Sequence, residues 1–327
     1  MPIKTFLIII LLLIIGCNDT YDDYRPYGGE RSLYIIHADG SGLQEIFQEN
    51  GQISNLQFLP DGSGVVFKAR GNLSGTFLYQ CATGEIIPYE DPSSPDSVWI
   101  DYDWSGEIYL INSVIPDTVN LTNDDKYQYD PVLTADHRSV IFLEQSSYEE
   151  EGYFGIKLVV MDINSRERTE IARFDERAEV LIYPPDRSLI IYNCTNGWFN
   201  QLWLLKTGSL TISKLCDTFS TYGGDIDSGK TAIVLEAFSG DNYEIFLLDL
   251  ASHIKTKLND SPGADLRPKF SLDGSKILFE YRLDDKSRLY MIDRSGTNLK
   301  QLSPEHLYIG YYCASPDNSL IAFTGED

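Results

Sequence analysis

The sequence predicts an all-β protein, a β-propeller in which four-stranded antiparallel blades form a ring. Three observations predict it. A unit of apolar strand and polar turn recurs about every 43 residues through nearly the whole chain. The apolar runs alternate with a period of two and are rich in Val, Ile, Tyr and Phe. The composition holds 21 Tyr but only 3 Met, a balance that favours strands over helices. Four short strands per period is the arithmetic of a blade, whereas a helical repeat of this length needs a 3.6-residue periodicity that these segments lack.

In chain order, the first element is not part of the ring. Phe6 to Ile15 is an unbroken apolar run preceded by Lys4. It is too short to cross a bilayer, which takes about 20 residues, and reads as the core of a secretory signal. Ile14-Ile15-Gly16-Cys17 follows and resembles a bacterial lipoprotein signal, which implies that Cys17 is the lipidated residue. Residues 1–16 are therefore expected to be a signal peptide, 17–31 a polar tether and 32–327 the propeller. Two or more acyl chains hold a protein on a membrane stably. The expected location is the bacterial cell envelope, on the outer membrane facing the periplasm, with surface exposure as the alternative.

The ring itself is read from two recurring segments. One is an apolar strand and a turn, as in LYIIHADG from Leu33, LVVMDINS from Leu158 and LYMIDRSG from Leu289. The other is two strands around a Pro, Asp and Gly turn, as in LQFLPDGSGVVF (56–67), PKFSLDGSKILF (268–279) and YYCASPDNSLIAF (311–323). Pro presets φ, Asp bonds local backbone and the fourth turn position takes φ > 0. That fourth position is read as Gly62, Gly106, His137, Arg187, Gly229, Gly274 and Asn318. Seven such landmarks favour seven blades. Trp99 to Thr122 has room only for a blade with one strand missing or shortened, so six blades is the alternative.

Residues 315–323 and 289–296 resemble the WD-like propeller repeats of the TolB-like superfamily, and the resemblance runs from Ser32 to the C-terminus. It implies the propeller fold. The α/β domain that precedes the propeller in TolB-like proteins is expected to be absent, because only a short tether separates Cys17 from the first strand.

The chain starts on the outer half of a blade and finishes on the inner half of one. Its N- and C-terminal strands should therefore share a blade and close the ring, which removes free sheet edges.

Turns between the first and second strands, and between the third and fourth, are short and lie on one face. The other connections are expected to be longer, irregular and on the opposite face, where function concentrates on scaffolded folds. Aromatics with hydrogen-bonding neighbours on that face are the candidate binding residues: Tyr127, Tyr129, Tyr148, Tyr153, Phe154, Trp198, Phe199, Tyr222 and Tyr243.

A formal net charge of -23 excludes a nucleic-acid binder, which needs a basic footprint. No Gly-x-Ser-x-Gly elbow, phosphate loop or dinucleotide fingerprint occurs. His37, His137, His253 and His306 fall in different blades and on both faces, so no metal centre is expected, and no cofactor. Asp225 and Asp227 lack calcium-loop spacing. Cys81, Cys194, Cys216 and Cys313 read as small buried hydrophobes, with Cys194 and Cys216 too far apart for a disulfide. The expected protein is a membrane-tethered, non-catalytic propeller that binds an envelope protein partner through the looped face. A glycan-binding lipoprotein, or a propeller enzyme acting on polysaccharide or peptide, is the alternative.

Overall fold

The structure is a computed structural model that describes residues 30–89, 98–102, 106–112, 117–145, 155–174, 177–196, 199–218, 221, 223–284 and 286–326. The chain opens with β1 (Glu30–His37) and β2 (Gln44–Asn50). Blade 1 follows as β3 (Gln52–Phe58), β4 (Gly64–Arg70), β5 (Ser74–Gln80) and β6 (Ile86–Pro88). Blade 2 is β7 (Val98–Tyr102), β8 (Ile108–Asn112) and β9 (Asp117–Asn120). Blade 3 is β10 (Gln128–Leu133), β11 (Ser139–Gln145), β12 (Ile156–Asp162) and β13 (Arg168–Phe174). Blade 4 is β14 (Ala178–Ile182), β15 (Leu189–Asn196), β16 (Phe199–Lys206) and β17 (Thr211–Thr218). Blade 5 is β18 (Gly224–Ile226), β19 (Ala232–Ser239), β20 (Asn242–Asp249) and β21 (Lys255–Lys257). Blade 6 is β22 (Ala264–Phe270), β23 (Lys276–Leu283), β24 (Lys286–Asp293) and β25 (Lys300–Gln301), and β26 (Tyr308–Ala314) and β27 (Leu320–Glu326) end the chain.

These strands form seven antiparallel sheets, six of four strands and one of three among the described residues. Seven blades is therefore the count, and the short blade is the one expected between Trp99 and Thr122. The ring closes as the repeat phase predicts: the order β2-β1-β27-β26 builds blade 7 from both ends of the chain. Ser32 to His37 pair residue by residue with Gly325 to Leu320. β1 starts at Glu30, inside the stretch read as tether.

Period-two alternation explains why the second strand of each blade is apolar on both sides. Ile277 and Phe279 of β23 pack on blade 5, while Leu278 between them packs on blade 7. Ile190 and Tyr192 of β15 face blade 3, and Ile191 faces blade 5. Each such strand sits between two neighbouring sheets, so it reads as a continuous hydrophobic run. The core is thus a series of inter-blade seams rather than one central cluster.

The turns follow their chemistry. Asp317 accepts from the Ser319 amide at 3.0 Å and from its hydroxyl at 2.8 Å, and Asp273 makes the same bonds to Ser275, at 2.9 Å each. Hydrogen bonds from Ser315 and Ser319 hold the Asp317 carboxyl at about 2. The left-handed position is Gly62, His137, Arg187, Gly274 and Asn318, as expected. Blade 5 corrects the alignment. There Lys230, not Gly229, has the positive φ, of 53°. Asp227 occupies the first turn position, taking the Ala232 amide on its carboxylate at 2.9 Å and donating its own amide to the Ala232 carbonyl at 3.1 Å. The Asp at the head of the turn displaced the register by one residue.

Candidate functional site

On the looped face the connections are tighter than the sequence reading expects. Ser239 pairs with Asn242 and Leu283 with Lys286, so β19–β20 and β23–β24 are joined by two-residue hairpins. Gly240 (φ 84°) and Asp284 (φ 50°) supply the left-handed turns this requires. The corresponding expectation of long, irregular loops there is corrected: the strands simply run further.

Inside that face lies a set of polar groups built on the fifth position of the second strands. The position before it is large and fully buried in most blades: Phe67, Phe142, Tyr192, Phe279 and Phe323. The fifth position is Asn193 in blade 4, Glu236 in blade 5, Glu280 in blade 6 and Thr324 in blade 7, all buried. Each points toward the next blade or its own inner strand. Asn193 donates to the Thr221 carbonyl at 3.1 Å, and Thr324 accepts the Tyr311 amide at 2.8 Å. The inner strands carry matching bulges, in which an unpaired residue frees its amide. Arg267, at φ 52° and followed by Pro268, is the bulged residue of β22.

Arg267 is the hub of this arrangement. Its amide donates to Glu236 of blade 5, its guanidinium to Glu280 of its own blade, and also to the Ile309 carbonyl of blade 7 at 3.0 Å. Arg282 and Ser287 complete the Glu280 carboxylate, at 2.8 and 2.7 Å. The two glutamates therefore diverge. Burial pushes Glu236 up to about 7, opposed by the Arg267 amide. Glu280 pays the same desolvation, but the charges of Arg267 and Arg282 and the Ser287 hydroxyl hold it below its ordinary value. Further round the ring, Asp225 takes the Phe270 amide of blade 6 at 2.8 Å and burial pushes it up to about 6. Asp130 takes the Val180 amide of blade 4 at 2.9 Å. These carboxylates stitch adjacent inner strands together. The sequence reading singled out only Asp225, as part of a calcium loop it rejected, and missed the others, although a charge that interrupts a buried apolar run is a visible signal.

The aromatic candidates divide. Tyr127 is 43% exposed, with its ring 5.9 Å from that of Tyr129. Tyr129 folds inward between blades 3 and 4, donates its hydroxyl to the Ala178 carbonyl at 2.9 Å, and has its phenol pushed well up by burial, so it is not a free surface ring. Tyr243 stacks edge-on against Phe238, at 5.5 Å between centroids, and Phe238 is 37% exposed. Phe199 begins β16 and its backbone pairs with Asn196. Cys17, Tyr148, Tyr153, Phe154, Trp198 and Tyr222 lie outside the described residues, as does the side chain of Phe199. Among the described residues Cys81, Cys194, Cys216 and Cys313 form no disulfide. Among the described residues no group of three or more His, Cys, Asp and Glu gathers as a metal set. Two shallow depressions of about 610 and 550 Å³ lie on the opposite, short-turn face, beside Arg294 and Asp186.

No protein-family model matches the chain. Solved structures share its fold. An oligogalacturonate lyase in complex with manganese is similar over 92% of this chain and 98% of its own, with 11% identity and a TM-score of 0.59. Dipeptidyl peptidase 4 of Porphyromonas gingivalis is similar over 86% of this chain, with 11% identity and a TM-score of 0.54; the match spans 51% of that enzyme. A TolB-like propeller is among them, the putative TolB of Agrobacterium tumefaciens, over 91% of this chain and 99% of its own, with 13% identity and a TM-score of 0.48. At these identities the likeness shows the fold alone. It also corrects one expectation. The lack of a catalytic motif predicts a protein that is not an enzyme, yet a lyase and a peptidase carry this propeller, so that exclusion does not stand.

Proposed function

We propose that the chain is a lipid-anchored β-propeller of the bacterial cell envelope that docks a protein partner on its looped face. The Ile14-Ile15-Gly16-Cys17 sequence supports the anchor, and Asn18 rather than Asp after Cys17 supports an outer-membrane location. The observation that carries the docking reading is a pair of exposed aromatics at the strand ends of that face: Tyr127, just before β10, and Phe238 are exposed, half-buried Tyr243 packs on Phe238, and exposed Asp241 stands beside them in a chain of net charge -23. A partner with a basic, partly apolar surface fits it. The test is crosslinking in native envelopes, read by mass spectrometry, with wild type beside a Tyr127→Ser, Phe238→Ser, Tyr243→Ser triple variant. Specific capture by wild type that the folded variant loses supports the face. Equal capture by both overturns it.

A second reading has its own observation. Glu236 and Glu280 share Arg267 and have their pKa values pushed apart, the pattern of a general acid and a carboxylate working together. This supports an enzyme acting on polysaccharide or peptide at the channel mouth. Turnover that Glu236→Gln abolishes, in a variant that is folded and no less stable than wild type, would favour it over docking.

A further inference from the structure

Glu244 and Asp265 form a second acidic corner between blades 5 and 6, with Asp265 two residues before Arg267 on β22. Glu244 stands near the start of β20 and is 2% exposed; Asp265 is the second residue of β22 and is 0% exposed. The connection from Asn259 to Gly263 wraps over them. Asn242 pins it by donating to the Ser261 and Gly263 carbonyls, at 2.9 and 2.6 Å. Asp265 receives Asn259 on one oxygen at 2.9 Å and the Ser261 hydroxyl on the other at 3.0 Å. Lys257 reaches Glu244 Oε1 at 3.3 Å.

The corner holds more acceptors than protons. The Ser261 hydroxyl has one hydrogen, yet both Asp265 and the Gly263 carbonyl, each at 3.0 Å, lie within its reach. Glu244 Oε2 is buried and has no donor among the described residues. Glu244 lies within hydrogen-bond reach of the Asp265 carboxyl, so two buried carboxyl groups meet there. An orphaned buried carboxylate oxygen is costly. Three carboxylates, those of Glu244, Asp265 and Asp260, stand against the single ammonium of Lys257. Lys257 also bonds Asp260 at the surface, so it has somewhere else to go.

We propose that this corner is a binding site for a hard divalent cation, with calcium as the best fit. Oxygens only, carboxylate, amide and hydroxyl, on a flexible connection are what calcium takes. Glu244 and Asp265 would supply the charged ligands. The Ser261 hydroxyl and, with its amide turned, Asn259 would supply neutral ones.

The test uses the full-length chain in detergent, stripped with chelator, and follows thermal unfolding and calorimetric titration with CaCl2 and, separately, MgCl2. The expected result is saturable one-site calcium binding that raises the melting temperature by several degrees, with magnesium weaker. Asp265→Asn should weaken calcium at least tenfold, and Lys257→Gln should tighten it, because the competing ammonium is gone. No calcium response in wild type overturns the proposal and leaves a shared proton in the corner. So does an unchanged affinity in both variants. If Asp265→Asn fails to fold, Lys257→Gln alone decides, since a site elsewhere would not tighten.

Discussion

The Tyr312 hydroxyl donates to the main-chain carbonyl of Arg267, so a side chain of blade 7 holds the left-handed residue of blade 6. The bond runs opposite to the one from the Arg267 guanidinium to Ile309, and the two together clasp neighbouring inner strands.

Tyr312→Phe should remove one half of this clasp and leave the ring otherwise packed. A carbonyl deprived of its buried partner costs about 1–3 kcal/mol. Denaturant unfolding should show that loss with an unchanged slope. A variant as stable as wild type would mean that water replaces the hydroxyl.

Glu236 gives a pH signature. Its carboxyl titrates at about 7 in the folded protein, against 4.5 for the ordinary value. A raised acid binds its proton more tightly when folded, so its contribution to stability is greatest below about 4.5 and falls as pH rises through 7. Glu236→Gln should therefore be more stable than wild type at pH 8, by about 1–3 kcal/mol, and the difference should shrink at pH 5. Parallel melting curves at the two pH values check this.

The turn correction in blade 5 predicts a contrast between two glycines. Gly274 sits at φ 70° with Arg294 at 3.3 Å from where a Cβ would stand, whereas Gly229 lacks a positive φ and meets only ordinary contacts. Gly274→Ala should cost about 1 kcal/mol or more, and Gly229→Ala should stay within about 0.5 kcal/mol of wild type. Equal costs would restore Gly229 to the left-handed position.

Phe279→Ala opens a cavity in the seam between blades 5 and 6 and should cost about 3–5 kcal/mol. Leu272→Ala, at an exposed turn position, should cost almost nothing. Chemical denaturation of the pair reports whether stability resides in the seams.

The ring was legible because its signals are local. Turns such as Ser315-Pro316-Asp317-Asn318 fix a phase, and the alternation around Ile277, Leu278 and Phe279 shows strands covered on both sides. The short blade was legible as a shortage of residues. The polar belt was not, because Glu236 contacts Arg267, 31 positions away, and only the bulge in β22 explains why an amide is free to meet it. The hairpin Ser239 to Asn242 was misjudged because the same Gly and Asp suit a long loop and a tight turn equally. Tyr129 was read as a surface ring because its partner, the Ala178 carbonyl, belongs to the next blade.

The shared blade 7 sets a timetable. Of the described strands β1 is made first and its central partner β27 last, so during synthesis the opening strands wait with an unsatisfied edge. The final ladder is a highly non-local contact, the kind that folds slowly and exposes strand edges to aggregation. A chain stalled short of Leu320 has a nearly complete set of blades and no latch. Until β27 arrives, that side of β1 stays open to pairing with another chain.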